Sequence, residues 1–249
     1  MRKINIYFLG TAGSGKTHLL GAFSEWLDFQ KIDHVTVNLD PGSEDMPYSP
    51  NVDIRDYFTL DDIMLKYGVG PNGAQILGAD LLGAEIDEIK EEIDYYDVPY
   101  VLIDTPGQME LFTLRRSSEI IINALGKDSV AVFLFDPVIS KVPDGFVSVN
   151  FLMASSIFRL KIPHIPVLSK CDLLGDRELE KIRSWSDPDS LYSELGTGVE
   201  REIFYVIKDS GLIHNPVPVS AKEGFGMEDI YDKIQEIYYG GEDMDRILY

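Results

Sequence analysis

The stretch Ile4-Asn5-Ile6-Tyr7-Phe8-Leu9, running straight into Gly10-Thr11-Ala12-Gly13-Ser14-Gly15-Lys16-Thr17, decides the fold. Its first part is dominated by β-branched and aromatic apolar residues and stops at a glycine, which predicts a buried strand. Its second part matches the pattern Gly-x-x-x-x-Gly-Lys-[Ser/Thr]. Thr17–Gln30 then predicts a helix, because Leu19, Leu20, Phe23 and Leu27 fall near helical spacing. A glycine-rich loop between strand and helix lets successive backbone N–H groups converge on phosphate oxygens, and the helix N-terminus adds about half a positive charge. Gly13, Ser14, Gly15 and Lys16 are therefore assigned to a nucleoside triphosphate. Lys16 is placed to bridge its β- and γ-phosphates, and the Thr17 hydroxyl to ligate Mg²⁺.

Outward from this loop lie further short apolar runs: His34–Leu39, Pro99–Ile103, Ser129–Phe135, Ile165–Leu168 and a weaker Val217–Val219. Helical stretches separate most of them. That alternation predicts an α/β fold of the P-loop NTPase type, a mostly parallel sheet with helices on both faces. Residues 1–249 read as a single domain with two insertions, 43–96 and 175–211. In the first, Ser43–Asn51 is rich in proline, serine and acid and predicts a mobile loop. Gly68–Gly73 is a tight-turn signal, and Leu77, Leu81, Ile86, Ile89 and Ile93 predict one long amphipathic helix over Ala74–Tyr95. The second insertion predicts two or three short helices.

An acid at the carboxyl end of a sheet strand points into the same crevice as the phosphate loop. Asp104 ends one such strand and can hold Mg²⁺ through water. In the following Thr105-Pro106-Gly107-Gln108, the Gly107 N–H can sense a γ-phosphate and Gln108 can orient an attacking water. Asp40, after His34–Leu39, is a further candidate for Mg²⁺ or that water, against the plainer role of starting the Pro41-Gly42 turn. Ser169-Lys170-Cys171-Asp172 follows the fifth strand. A carboxylate there accepts two hydrogen bonds from guanine N1–H and N2–H₂, a donor pair adenine lacks, so GTP is favoured over ATP. The Lys170 stem can lie flat on the purine, and in Ser220-Ala221-Lys222 a backbone N–H can meet guanine O6. The usual guanine signature is Asn-Lys-x-Asp. Ser169 is shorter than asparagine, so the link from base loop to phosphate loop is expected to be missing or carried by water.

Among 249 residues, 42 acidic side chains face 22 basic ones, a formal net charge of −20. Such a balance argues against a surface that wraps nucleic acid or docks on an anionic membrane. A single triphosphate is a different case, because its field is local and distant acids are screened over about 8 Å. The excess acid is uneven. Asp80–Asp97 holds eight carboxylates against Lys90 alone, and Glu242–Asp245 adds three more. Solvated faces account for such runs, with an acidic surface for a basic client as the sharper alternative. One cysteine, Cys171, excludes an intrachain disulfide and suggests a reducing compartment or a redox-neutral design, and the chain is expected to be cytoplasmic. No apolar run approaches the roughly 20 residues of a membrane span, and Ile4–Leu9 is too short for a signal peptide.

Gly10–Thr17, Asp104–Gln108, Ser169–Asp172, Ser220–Lys222 and above all Gly70-Pro71-Asn72 together resemble the GPN-loop GTPases over essentially the whole chain. The resemblance implies a dimer-activated GTP hydrolase that binds GTP and GDP with Mg²⁺. It also implies a homodimer whose Gly70, Pro71 and Asn72 reach the partner's γ-phosphate, while Gln108, Asp104 and Asp40 act in their own site. It implies a protein client, RNA polymerase subunits among the candidates, and the lack of a long tail fits the archaeal type. Besides Ser169, His18 departs from the pattern, standing beside Thr17 where a second hydroxyl is common. Arg115 and Arg116, soon after the switch segment, are the nearest candidates to stabilise transition-state charge, against the plainer reading of salt bridges on a helix face, which would leave that role to a partner's loop. Two other functions share the phosphate loop. One is a nucleotide or small-molecule kinase, which usually carries an arginine-rich lid; the other is a non-hydrolysing scaffold.

Overall fold

The computed structural model describes residues 2–196, 199–209, 211 and 213–240. From the N-terminus come β1 (Ile4–Gly10), α1 (Lys16–Phe29), β2 (His34–Asn38), β3 (Val52–Asp53), α2 (Leu60–Tyr67), α3 (Pro71–Ala84), α4 (Ile86–Asp94) and β4 (Tyr100–Asp104). There follow α5 (Met109–Thr113), α6 (Arg116–Leu125), β5 (Ser129–Phe135), α7 (Pro137–Ser140), α8 (Pro143–Leu160) and β6 (His164–Leu168). The last are α9 (Asp176–Ser184), α10 (Pro188–Glu194), α11 (Val199–Asp209), β7 (Val217–Pro218) and α12 (Met227–Tyr239).

The strands form one sheet in the order β3-β2-β4-β1-β5-β6-β7, and every pairing is parallel. All seven residues of β1 are buried, as are those of β5, so each reads as an unbroken apolar run rather than an alternation. Two apolar cores cover the two faces of the sheet. Leu19, Leu20, Phe23 and Leu27 of α1 pack one face together with α12. On the other, Phe135, Phe146 and Trp185 pack in sequence as tilted ring pairs, tying β5 to α8 and the end of α9. Register brings the strand ends level: Asp104 lies opposite Phe8 and Asn38, and Leu168 opposite Phe135. β1 sits between β4 and β5, so its loop opens where the chain's crossovers diverge, the place such sheets bind ligands.

The six strands expected from the sequence are present, joined by the short edge strand β3. The second insertion yields three short helices, α9 to α11, in line with expectation. The first insertion differs. Ala74–Tyr95 is not one helix: α3 ends at Glu85, whose φ of −91° and ψ of 1° leave the helical region, and α4 starts afresh. The reason is local packing. A side chain at Gly83 would meet Ser117 of α6 at 3.1 Å, so α3 lies close on α6. The turn at Glu85 then re-aims α4 so that Ile86, Ile89 and Ile93 enter the core.

Nor is Ser43–Asn51 a free loop. Asn38 donates to Ser43 Oγ at 3.0 Å, Asn51 accepts from Thr36 N at 2.9 Å, and Pro47 and Tyr48 rest on Gly21 of α1. The Gly68–Gly73 turn is real but tight. Gly68 closes α2 in the left-handed region at φ 64°, and Pro71 opens α3 two residues after Val69. The acidic run Glu242–Asp245 lies outside the described residues.

Candidate active site

The strand ends and the β1–α1 loop frame a cleft of about 780 Å³. Three glycines shape the loop: Gly10, Gly13 and Gly15 have φ of 157°, 74° and 95°. The last two lie squarely in the region that other residues rarely adopt. Lys16 is 5% exposed, and its ammonium donates to the carbonyls of Gly10 (3.0 Å), Thr11 (3.1 Å) and Gly107 (3.0 Å). Burial lowers its pKa, while Asp104 and Asp40 oppose that shift. His18 is exposed at the cleft wall and makes no bond that fixes it to the loop.

Two carboxylates flank this ammonium. Asp40 accepts from Gly42 N (2.9 Å) with one oxygen and from Gly107 N (2.8 Å) with the other. It therefore joins the loop after β2 to the loop after β4. Burial raises its pKa. Asp104 is 1% exposed, and burial pushes its pKa to about 6. The Thr17 hydroxyl lies near enough to favour the ionised form, and Tyr48 donates to Oδ2 at 3.3 Å. Oδ1 is buried without a hydrogen-bond partner. Two carboxylates facing one ammonium, with a vacant oxygen lone pair and a hydroxyl beside it, form a hard-oxygen set suited to a small divalent cation such as Mg²⁺.

The base end joins four strand ends. Ser169 Oγ donates directly to the Ser14 carbonyl at 2.9 Å. The link between base loop and phosphate loop therefore exists without water, contrary to expectation, because Ser169 is buried at the end of β6 and the phosphate loop packs down onto it. Lys170 adopts φ 50°, and its stem crosses Gly15, where a side chain would meet Cε at 3.3 Å. Its ammonium donates to the Gly13 carbonyl and to Asp136 Oδ2 at 2.9 Å. Asp172 is half-buried, its carboxylate held by Ser220 Oγ at 2.7 Å. Ala221 and Lys222 complete this wall, and Lys222 itself is exposed.

These contacts fit a family. The chain is 35% identical over 243 residues to the GPN-loop GTPase PAB0955 of Pyrococcus abyssi, covering 94% of this chain and 96% of that one. A crystal structure described as PAB0955, a GTPase in apo form, matches with a TM-score of 0.85 at 33% identity, covering 95% of this chain and 98% of that one. The chain belongs to the GPN-loop GTPase family. A family model described as a conserved hypothetical ATP binding protein matches residues 8–240. GPN-loop GTPase 1 of Dictyostelium discoideum is 33% identical over 243 residues, which cover 93% of this chain but 60% of that longer relative.

The GPN tripeptide itself stands apart from the cleft. Gly70 caps α3, Pro71 is its first residue and Asn72 follows, all three at the surface and outside the cleft lining. Gln108 is exposed and turns its amide to Gln75 of α3, donating Nε2 to Oε1 at 2.8 Å. Arg115 pairs twice with Asp80 of α3, at 2.8 and 2.6 Å, which is the salt bridge expected of it. Arg116 is exposed.

Asp136, Tyr48 and Gln75 join the residues around the site beyond those the sequence motifs mark. Asp136 was legible: Phe133-Leu134-Phe135-Asp136-Pro137 repeats the strand, acid and proline sequence of Leu39-Asp40-Pro41. Tyr48 and Gln75 carry no such signal, since each meets a site residue, Asp104 or Gln108, only through tertiary packing.

Proposed function

We propose that this member of the GPN-loop family binds GTP and hydrolyses it to GDP and phosphate. The observation that carries the reading is the meeting of Lys16, Thr17 and Asp40 at one end of a cleft, with Asp104 buried against Thr17, while the other end holds an oriented carboxylate, Asp172. That carboxylate matches the two donors on the guanine edge. The relatives, named GPN-loop GTPases, support the same base.

In the proposed reaction the backbone N–H groups of Gly13–Thr17 cradle the phosphates, and Lys16 leaves its three carbonyls to neutralise the β- and γ-oxygens. Thr17 and Asp104 would hold Mg²⁺, with Asp40 in the outer shell. Bound there, the ion screens the charge that develops between the β- and γ-phosphates. The Gly107 N–H passes from Asp40 to a γ-phosphate oxygen, and the freed Asp40 carboxylate, with Gln108, aligns a water for in-line attack. The exposure of Asn72 fits a homodimer in which this loop serves the partner's site. The family resemblance extends this proposal to a nucleotide-dependent dimer that assists assembly of a protein complex, such as RNA polymerase. The lone Cys171, buried and free, suits a cytoplasmic setting. Among the described residues no helix is long and apolar enough to cross a membrane.

The test is phosphate release from GTP by wild type and Gln108→Leu, with GTP affinity measured alongside. Hydrolysis is expected to fall about 100-fold in the variant while affinity changes less than threefold. Equal losses in both would remove Gln108 from the chemistry. Phosphate transfer that requires a second acceptor would favour the kinase alternative, and tight binding without turnover by the dimer the scaffold.

A further inference from the structure

Gln108 is the residue proposed to orient water; it lies just outside the cleft lining, next to Gly107, and its amide is held by a second residue outside the cleft. It is exposed, it follows the Pro106-Gly107 turn, and it sits at the start of α5, a helix of five residues. Nothing in that short element fixes a long side chain. Among the described residues its amide is held by the 2.8 Å hydrogen bond from Nε2 to Gln75 Oε1. Gln75 stands one turn along α3 from Asn72, on the same side of the helix. It is the first of three points at which α3 grips the segment after β4. The others are the paired Asp80–Arg115 contact and the close approach of Gly83 to Ser117.

We propose that Gln75 is a positioning residue for hydrolysis, fixing the Gln108 amide so that its carbonyl oxygen is the atom offered to water. The polarity follows from bookkeeping of donors. An amide side chain has two donors on nitrogen and two acceptor sites on oxygen. A water that attacks phosphorus must point a proton away from it, toward an acceptor. In the structure Gln75 presents Oε1 rather than its own Nε2, so it engages the Gln108 nitrogen and leaves the Gln108 oxygen turned the other way. A donor at position 75 would capture the oxygen instead and present water with the wrong end of the amide. Nothing in this requires Gln75 to touch nucleotide, and Gln75 does not line the cleft. The inference rests on the proposed hydrolysis, which Gln108 is taken to serve.

The experiment compares full-length wild type, Gln75→Met, Gln75→Glu, Gln75→Lys and Gln108→Leu in GTP hydrolysis, GTP affinity and thermal melting. Gln75→Met keeps length with only a weak thioether acceptor, Gln75→Glu keeps the oxygen acceptor, and Gln75→Lys supplies only donors. The expected result is a fivefold to tenfold loss of kcat in Gln75→Met, recovery of most of it in Gln75→Glu, and the largest loss in Gln75→Lys, about 30-fold. KM and melting temperature stay within error of wild type in all three. In Gln75→Met the Gln108 side-chain amide resonances also move in a nitrogen–proton correlation spectrum. A kcat for Gln75→Met equal to wild type, or equal losses in Gln75→Glu and Gln75→Lys, overturns the proposal while Gln108→Leu still reports on the parent reading. A loss confined to KM or melting temperature overturns it too, since that marks Gln75 as structural. Absence of turnover by wild type overturns the parent reading and this proposal with it.

Discussion

At the phosphate end of the cleft Lys16 and Asp104 are sealed from solvent at 5% and 1% exposure, whereas at the base end Lys170 and Asp172 are half-buried and Lys222 is open. Both ends use the same device, a polar side chain placed by the end of a parallel strand. They differ in dielectric. Charges in a sealed cluster act on one another strongly and titrate away from their ordinary values, while half-exposed charges are shared with water. The phosphate end should therefore govern rate and pH response, and the base end should govern choice of ligand.

Asp104→Asn presses hardest on that contrast. It removes the buried carboxylate from the site of charge development, and hydrolysis is expected to fall by at least about 100-fold in phosphate-release assays. Stability moves the other way. The folded pKa of Asp104 is raised by burial from 3.8 to about 6, so the folded state holds the proton more tightly than the unfolded chain does. Its contribution is therefore most favourable below about pH 4 and is lost as pH rises through 6. Above that, the ionised group costs up to about 3 kcal/mol. Asparagine carries no such cost. The nucleotide-free variant should melt about 5 °C higher than wild type at pH 7.5, with the gap closing by pH 4. A lower melting temperature at pH 7.5 would show that Asp104 is not under electrostatic strain.

Asp172→Ala tests the open end. The affinity for GTP should fall by about 10-fold to 100-fold, as a buried hydrogen-bonding edge of the base is left without its partner. ATP affinity should hardly change. Calorimetry of GTP and ATP analogues reads both. An unchanged preference would take Asp172 out of base recognition and leave the description of the family model, an ATP binding protein, as the better guide to the ligand.

What could be read from the sequence follows the same division. Lys16, Asp40, Asp104 and Asp172 were legible because each sits at a fixed step from an apolar run, and strand direction alone sends it to the cleft. The α3–α4 break was not, because Ala74–Tyr95 carries apolar residues at helical steps throughout. Only the contact of Gly83 with Ser117, on a helix 30 or more residues away, shows why the axis changes. Ser169 was misread for a related reason. Its reach was judged from side-chain length, but the distance it must span is set by how closely the phosphate loop descends on β6. Gln108 was assigned a partner in the solvent, whereas its nearest partner is Gln75 on the insertion.

Asp136→Asn makes the smallest change and the sharpest comparison, since it repeats the Asp104 substitution at the other end. Asp136 also follows a buried strand, but its two oxygens are both satisfied. Oδ1 caps α7 by accepting from Val138 N at 2.8 Å, and Oδ2 takes the Lys170 ammonium at 2.9 Å. Asparagine can keep the cap through its carbonyl oxygen and loses only the charge opposite Lys170. The lysine keeps its bond to the Gly13 carbonyl and is a third exposed, so water makes up part of the difference. A destabilisation of about 1 kcal/mol is expected, opposite in sign to Asp104→Asn. With Lys170 less firmly laid across Gly15, GTP and ATP should both bind about threefold more weakly, because a lysine stem lies against either purine. The preference for GTP and the turnover of bound GTP should stay as they are, since Asp172 and the phosphate end are untouched. If instead Asp136→Asn raised the melting temperature as Asp104→Asn does, the two ends would share one sealed environment, and the division between rate and choice of ligand would fail.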